Sequence, residues 1–310
     1  GDVYKRQPLD RAPRLSDKLE NNVFIKREDL QPVFSFKIRG AYNKIVQLSP
    51  SEKQRGVIAA SAGNHAQGVA LAAERLRIKA TIVMPETTPE IKIDGVKKFG
   101  AKIILHGDDF STAFARAQEI ANENSLVFIP PFDDPFVIAG QGTIALELLR
   151  QYTKNIHAIF VPIGGGGLIA GIGSYIKMVR PEIKIIGVES DESASMYASI
   201  KKGRRITLKN VGIFADGVAV AQVGKEPFRL AKKVVDDIVL ADVDQICAAV
   251  KDLFEDTRAI AEPSGALAVA GMKNYIRDNK IFGKTLIAIN CGANVSFDRL
   301  RHISERANYS

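Results

Sequence analysis

Tryptophan is missing from the 310 residues, and cysteine nearly so, with Cys247 and Cys291 the only two. Two thiols cannot frame a disulfide-stapled fold, and their number suits a reducing, cytoplasmic setting. Histidine is scarce as well. His65, His106, His157 and His302 show no metal-ligand spacing, so no metal is expected. No apolar run approaches the roughly 20 residues a membrane helix needs, which removes the bilayer as an expected partner. Neither a secretory signal nor an internal repeat is read along the chain.

What is present is ordinary for a soluble globular protein: 46% apolar and 25% charged residues. The length allows a large core and two domains. A formal charge of +8 raises the question of nucleic acid. The basic residues are spread along the chain, however, and the densest cluster, Lys201-Lys202-Gly203-Arg204-Arg205, has no interleaved aromatics. No nucleic acid is expected, and an anionic small molecule suits the balance equally well.

Gly1 to Gln7 stand apart, because Asp2 to Gln7 resemble the translation of a transposon end used in building sequencing libraries. Residues 1–7 are therefore expected to be a non-native scar. Beyond them strands and helices alternate. Strands are predicted at Val23 to Lys26, Gly56 to Ala60, Ala80 to Met84, Ala101 to Leu105, Leu126 to Ile129, Ala158 to Pro162, Lys184 to Glu189, Ile238 to Leu240 and Thr285 to Asn290. Helices are predicted between them, among them Ala41 to Leu48, Asn64 to Arg75, Val137 to Gln151, Leu168 to Val179 and Ser264 to Arg277. That alternation predicts an α/β fold of two lobes, each a mostly parallel sheet covered by helices, with a cleft between them.

Four stretches carry chemistry. In Ser35-Phe36-Lys37-Ile38-Arg39-Gly40-Ala41, Lys37 sits near the positive end of a predicted helix with Arg39 close by. Both features favour loss of its proton, and a neutral lysine is a nucleophile for carbonyls. A solvated surface lysine is the alternative. Ser61-Ala62-Gly63-Asn64-His65 follows a buried strand and opens a helix, where free N–H groups can take a carboxylate or phosphate. Plain capping by Ser61 would explain the same residues.

Gly164-Gly165-Gly166-Gly167-Leu168 joins an apolar strand to an apolar helix. Such a run lets successive N–H groups close around a phosphate. Dinucleotide spacing fails, because its last glycine falls on Ile169. Cys291 ends an apolar strand, where it is either a buried thiol or a weak, neutral donor to a ring nitrogen.

Together with Lys26-Arg27-Glu28-Asp29, Pro130 to Asp133, Gly140 to Thr143, Ala215 to Val220, Ala261 to Ala266 and Gly292 to Val295, these stretches resemble, in order, the serine/threonine dehydratases. These are fold-type II pyridoxal phosphate enzymes, and the likeness runs from Pro8 to about Asn308, nearest to their biosynthetic, threonine-cleaving branch. The resemblance implies pyridoxal 5'-phosphate carried covalently on Lys37, with Phe36 against its ring. Asn64 would meet the phenolic oxygen, Gly164 to Gly167 with Leu168 the phosphate, and Cys291 the pyridine nitrogen. Ser61, Ala62, Gly63, Asn64 and His65 would take the substrate carboxylate. It implies a larger lobe of residues 8–40 plus 135–310, a smaller one of 41–134, and a homo-oligomer, dimer or tetramer. The implied reaction turns L-threonine into 2-oxobutanoate and ammonia on the way to isoleucine, with L-serine as a further substrate.

Two departures stand out. Many biosynthetic members carry serine where this chain has Cys291, and several serine dehydratases carry cysteine, which raises serine dehydratase or serine racemase as the alternative. Biosynthetic members also usually continue into a C-terminal regulatory domain, and truncation at Ser310 is the expected reason for its absence here. Some relatives hold a cation near the equivalent of Asp216, but Gly212 and Ile213 offer no neighbouring acid.

Overall fold

Runs such as Val57-Ile58-Ala59-Ala60 and Ala158-Ile159-Phe160-Val161 are buried on both faces, as strands are in a parallel sheet with helices above and below. The structure, a computed structural model, describes residues 4–309. In chain order the elements are β1 (Leu9–Arg11), α1 (Pro13–Lys18), β2 (Asn22–Arg27), α2 (Lys37–Val46), α3 (Pro50–Arg55), β3 (Val57–Ala60), α4 (Asn64–Leu76), β4 (Ala80–Met84), α5 (Glu90–Lys97), β5 (Lys102–Leu105), α6 (Phe110–Glu123), β6 (Val127–Phe128), α7 (Pro135–Gln151), β7 (Ala158–Pro162), α8 (Gly167–Val179), β8 (Lys184–Ser190), α9 (Ser195–Lys202), α10 (Lys225–Val234), β9 (Asp237–Ala241), α11 (Val243–Thr257), α12 (Pro263–Asn279), β10 (Thr285–Asn290) and α13 (Arg299–Arg306).

The strands form a six-stranded sheet, β1-β2-β10-β7-β8-β9, and a four-stranded sheet, β5-β4-β3-β6. Every pairing is parallel except β1 with β2. This is the architecture of two mostly parallel α/β lobes that the alternation predicts. The last strand, β10, lies inside the larger sheet, pairing Thr285 with Asn22 on one side and Leu286 with Ala158 on the other.

Helix α2 is the wedge that carries Lys37. Ile38, Ala41 and Ile45 are fully buried and pack with Val57, Ala66 and Leu71 of the smaller lobe's core. Two glycine contacts set its depth. A Cβ on Gly68 of α4 would lie 3.0 Å from the Lys37 carbonyl carbon, and one on Gly140 of α7 would lie 2.7 Å from the Gly40 Cα. Larger residues there would push α2, and Lys37 with it, out of its seat.

The other anchor is a buried ionic cluster. Arg39 is 0% exposed; its Nη2 lies 2.7 Å from Glu28 and its Nη1 2.7 Å from Glu147. Lys26 adds a bond of 2.8 Å to Glu147. Two cations thus meet two carboxylates, an arrangement in which removal of any one leaves the buried charges unbalanced.

Several elements differ from the sequence reading. Helix α2 starts at Lys37 and ends at Val46, where the apolar stripe predicts Ala41 to Leu48, because Arg39 and Gly40 interrupt the stripe while remaining helical. The reading missed β1, which is three residues long, and α1, α9, α10 and α13, which are short and largely polar. Gly1 to Val3 of the expected scar lie outside the described residues. Tyr4 to Gln7 pack onto the fold: the Gln7 carbonyl accepts Lys26 Nζ at 2.6 Å, and the Tyr4 ring lies 5.0 Å from the Arg39 guanidinium.

Candidate active site

Lys37 is the first residue of α2, and its Nζ donates to the Pro131 carbonyl at 3.1 Å, 5.2 Å from the centre of the Phe36 ring. Burial lowers its pKa from 10.5 to about 8, and the nearby Glu262 carboxylate offsets part of that fall. The sequence predicts the same direction from the helix end and Arg39. The physical cause is desolvation instead, since Glu28 and Glu147 already engage the Arg39 guanidinium. A solvated surface lysine is ruled out, because the side chain is half-buried and lines a cavity with Asn64, the glycine run, Glu262 and Cys291.

The glycine run is a bare ladder of donors. Among the described residues, no protein acceptor meets the N–H groups of Gly164 through Leu168, which line the cavity at the N-terminus of α8. Gly166 has φ +92°, a conformation that side chains resist. The neighbours add a second reason for glycine: a Cβ on Gly165 would meet the Phe132 ring at 2.1 Å, and one on Gly166 would meet Met196 Cε at 2.8 Å.

Cys291 is 4% exposed, and its Sγ donates to the Ser264 carbonyl at 3.3 Å. Burial pushes its pKa well up, so it stays a neutral thiol. Glu262 is the carboxylate among the cavity's residues, buried and bonded to Asn64 at 2.7 Å. Burial first, then the charge of Asp216, raises its pKa to about 7. Among the described residues, two buried atoms of cavity residues, Gln141 Oε1 and Ser264 Oγ, have no hydrogen-bond partner.

Of the loop before α4, Asn64 alone lines the cavity. Ser61, Ala62 and Gly63 lie half-buried ahead of it, with the Gly63 N–H on Ser61 Oγ at 3.2 Å. His65 turns away: its Nε2 lies 2.8 Å from the Ile129 carbonyl, and burial lowers its pKa to about 3. The ring is therefore neutral, with its proton on Nε2. Asp216 pairs with Lys92 at 2.9 Å. Contrary to the local sequence reading, an acid does stand near it, since Glu192 shares a surface hollow with Gly212, Ile213, Asp216 and Arg299.

The sequence reading left out Glu262, Gln141, Ser264 and Pro131 as site residues. Glu262 before Pro263 reads as an ordinary helix start, so only its setting among small residues, Ala261-Glu262-Pro263-Ser264-Gly265-Ala266, hints at more.

A lysine poised near neutrality, a row of unmatched N–H groups and two unpaired polar atoms fit a group with an aldehyde, an anion and a polar ring. Pyridoxal phosphate has all three. Its phosphate suits the Gly164 to Leu168 donors, and its aldehyde suits Lys37.

Comparison with known proteins agrees. Residues 2–292 match the family described as pyridoxal-phosphate dependent enzyme. The chain is 57% identical over 305 residues to the L-threonine dehydratase biosynthetic IlvA of Pasteurella multocida, covering 98% of this chain and 59% of that protein. It is 55% identical to the mitochondrial threonine dehydratase of Saccharomyces cerevisiae, covering 99% and 54%. The chain thus spans a little over half the length of these relatives. Its fold is similar to that of the processed form of threonine deaminase isoform 2 from Solanum lycopersicum, with TM-score 0.97 and 51% identity over 98% of this chain and 89% of that one. Maize serine racemase gives TM-score 0.91 and 32% identity over 99% and 93%. On the family match, the two-lobed fold and the lysine-centred cavity, this chain belongs to the pyridoxal-phosphate dependent enzymes.

Proposed function

We infer that the chain is the catalytic part of a threonine dehydratase, releasing 2-oxobutanoate and ammonia from L-threonine and acting on L-serine as well. The observation that carries this is the cavity itself, in which Lys37, its pKa lowered to about 8, shares one enclosure with the free donors of Gly164 to Leu168. The relatives' names supply the substrate.

Bound pyridoxal phosphate supplies an electrophilic carbon and a ring that takes up the electron pair left on the substrate's α-carbon. The protein's part is binding and proton handling. Lys37 Nζ would hold the aldehyde carbon and, once free, would serve as the base for the substrate's α-proton. Gly164 to Leu168 would fix the phosphate, Phe36 and Asn64 would hold the ring and its phenolic oxygen, and neutral Cys291 would meet the ring nitrogen without adding charge. The loop from Ser61 to His65 would receive the substrate carboxylate through its main-chain N–H groups, that of Asn64 included, since the Asn64 carboxamide and the His65 ring are engaged elsewhere.

The lobes of this enzyme run over 8–40 plus 135–310 and over 41–134, consistent with the smaller sheet's strands lying between Val57 and Phe128. A homo-oligomer in the cytoplasm completes the reading. Incubation with pyridoxal phosphate and L-threonine is expected to yield 2-oxobutanoate, and Lys37→Ala to abolish it. An inactive wild type or a fully active variant overturns the assignment.

Cys291 favours a second reading, serine dehydratase or serine racemase. Specificity constants for L-threonine and L-serine, with D-serine formation followed alongside, separate the three.

A further inference from the structure

Asn64 opens α4, where an asparagine would normally bond its own helix. Here both ends of its carboxamide are engaged by the other lobe, 198 and 230 residues away in sequence. Its neighbours fix which end is which. The Val33 carbonyl can only accept, so the Asn294 atom 2.9 Å from it is Nδ2. That same Nδ2 lies 2.6 Å from Asn64, which must therefore present Oδ1 to it. The remaining atom, Asn64 Nδ2, lies 2.7 Å from Glu262 Oε1. One hydrogen of Nδ2 is taken there, and the second is left free on a residue that lines the cavity.

The backbone leaves room for this chain of bonds. A Cβ on Gly292 would stand 2.3 Å from Glu262 Oε1 and 3.4 Å from Asn64 Nδ2, so the pair can meet only because residue 292 is glycine. The main chain holds Glu262 in place, its N–H donating to the Gly292 carbonyl at 3.1 Å.

We propose that Asn294 and Glu262 are positioning residues that lock the orientation of the Asn64 carboxamide through a Val33–Asn294–Asn64–Glu262 relay, so that the site offers the cofactor a fixed hydrogen-bond donor. This rests on the pyridoxal phosphate reading given above. Without Asn294 or Glu262 the amide can turn over, and its oxygen then faces an acceptor on the cofactor.

The test is a double-variant cycle on cofactor affinity. The dissociation constant of pyridoxal phosphate is measured by titrating the apo-protein at about pH 9, where Lys37, with its pKa of about 8, is largely neutral in every variant. Asn294→Ala and Glu262→Leu are each expected to weaken binding about ten-fold in the wild-type background. In an Asn64→Ala background each should change it less than about two-fold. Equal losses in both backgrounds mean a merely structural role and overturn the relay, as does the absence of loss in either single variant. Should Glu262→Leu fail to fold, the Asn294→Ala arm decides alone. A wild type that binds the cofactor but leaves threonine intact sinks the substrate assignment and leaves the relay standing, whereas a wild type that binds no cofactor sinks both.

Discussion

Lys37 shows how a residue's setting changes its chemistry. Its amine is depressed because burial disfavours the charged form, so at pH values above about 8 most molecules present a nucleophile. Borohydride trapping of pyridoxal phosphate on the apo-protein should therefore accelerate with pH around a midpoint near 8. Glu262 holds the Lys37 pKa up, and Glu262→Gln should move that midpoint lower. An unchanged or higher midpoint would mean that the two charges do not interact. The sign for stability follows: Lys37 has a folded pKa below its usual 10.5, so its contribution is complete above 10.5 and is lost as pH falls through about 8. This much was half legible in the sequence. The pattern Ser35 to Ala41 marked Lys37, but burial, which sets its pKa, comes from residues as distant as Pro131 and Cys291 and leaves no local trace.

At the scale of elements, the strand-to-helix junctions build the site, and they were the most legible part. The turn from β7 into α8 was read from its four glycines as an anion cup. What could not be read is that Phe132, Met196 and Pro227 crowd those glycines, since those contacts depend on tertiary packing. Gly166→Ala tests both roles, because its φ of +92° and the 2.8 Å approach to Met196 oppose any side chain. A loss of about 1–3 kcal/mol in apo-protein stability is expected, with weaker cofactor binding beside it. Thermal unfolding and cofactor titration read the two separately. The junction of β3 and α4 was marked as well, but the sequence could not tell that Asn64 turns into the cavity while His65 turns to the Ile129 carbonyl.

Across the whole molecule, the two lobes meet around α2, and the ionic cluster beneath it ties β2, α2 and α7 together. Glu28→Ala leaves two buried cations facing one carboxylate, and a loss of about 3–5 kcal/mol in urea unfolding is expected. The exposed pair Arg301–Glu305, with Arg301 89% exposed, provides the contrast: Glu305→Ala should cost less than about 0.5 kcal/mol. Lys26, Arg27 and Glu28 were noticed as a sequence motif, but their burial was not, because charged residues are ordinarily read as surface. The position of β10 governs the order of events during synthesis. Until Thr285 to Asn290 leave the ribosome, β2 and β7 present open edges to the same gap and Cys291 is missing from the cavity, while the strands of the smaller sheet, all before residue 129, can already pair. A complete cofactor site thus waits for β10, and a nascent chain stalled at α12 is a half-built sheet with two sticky margins.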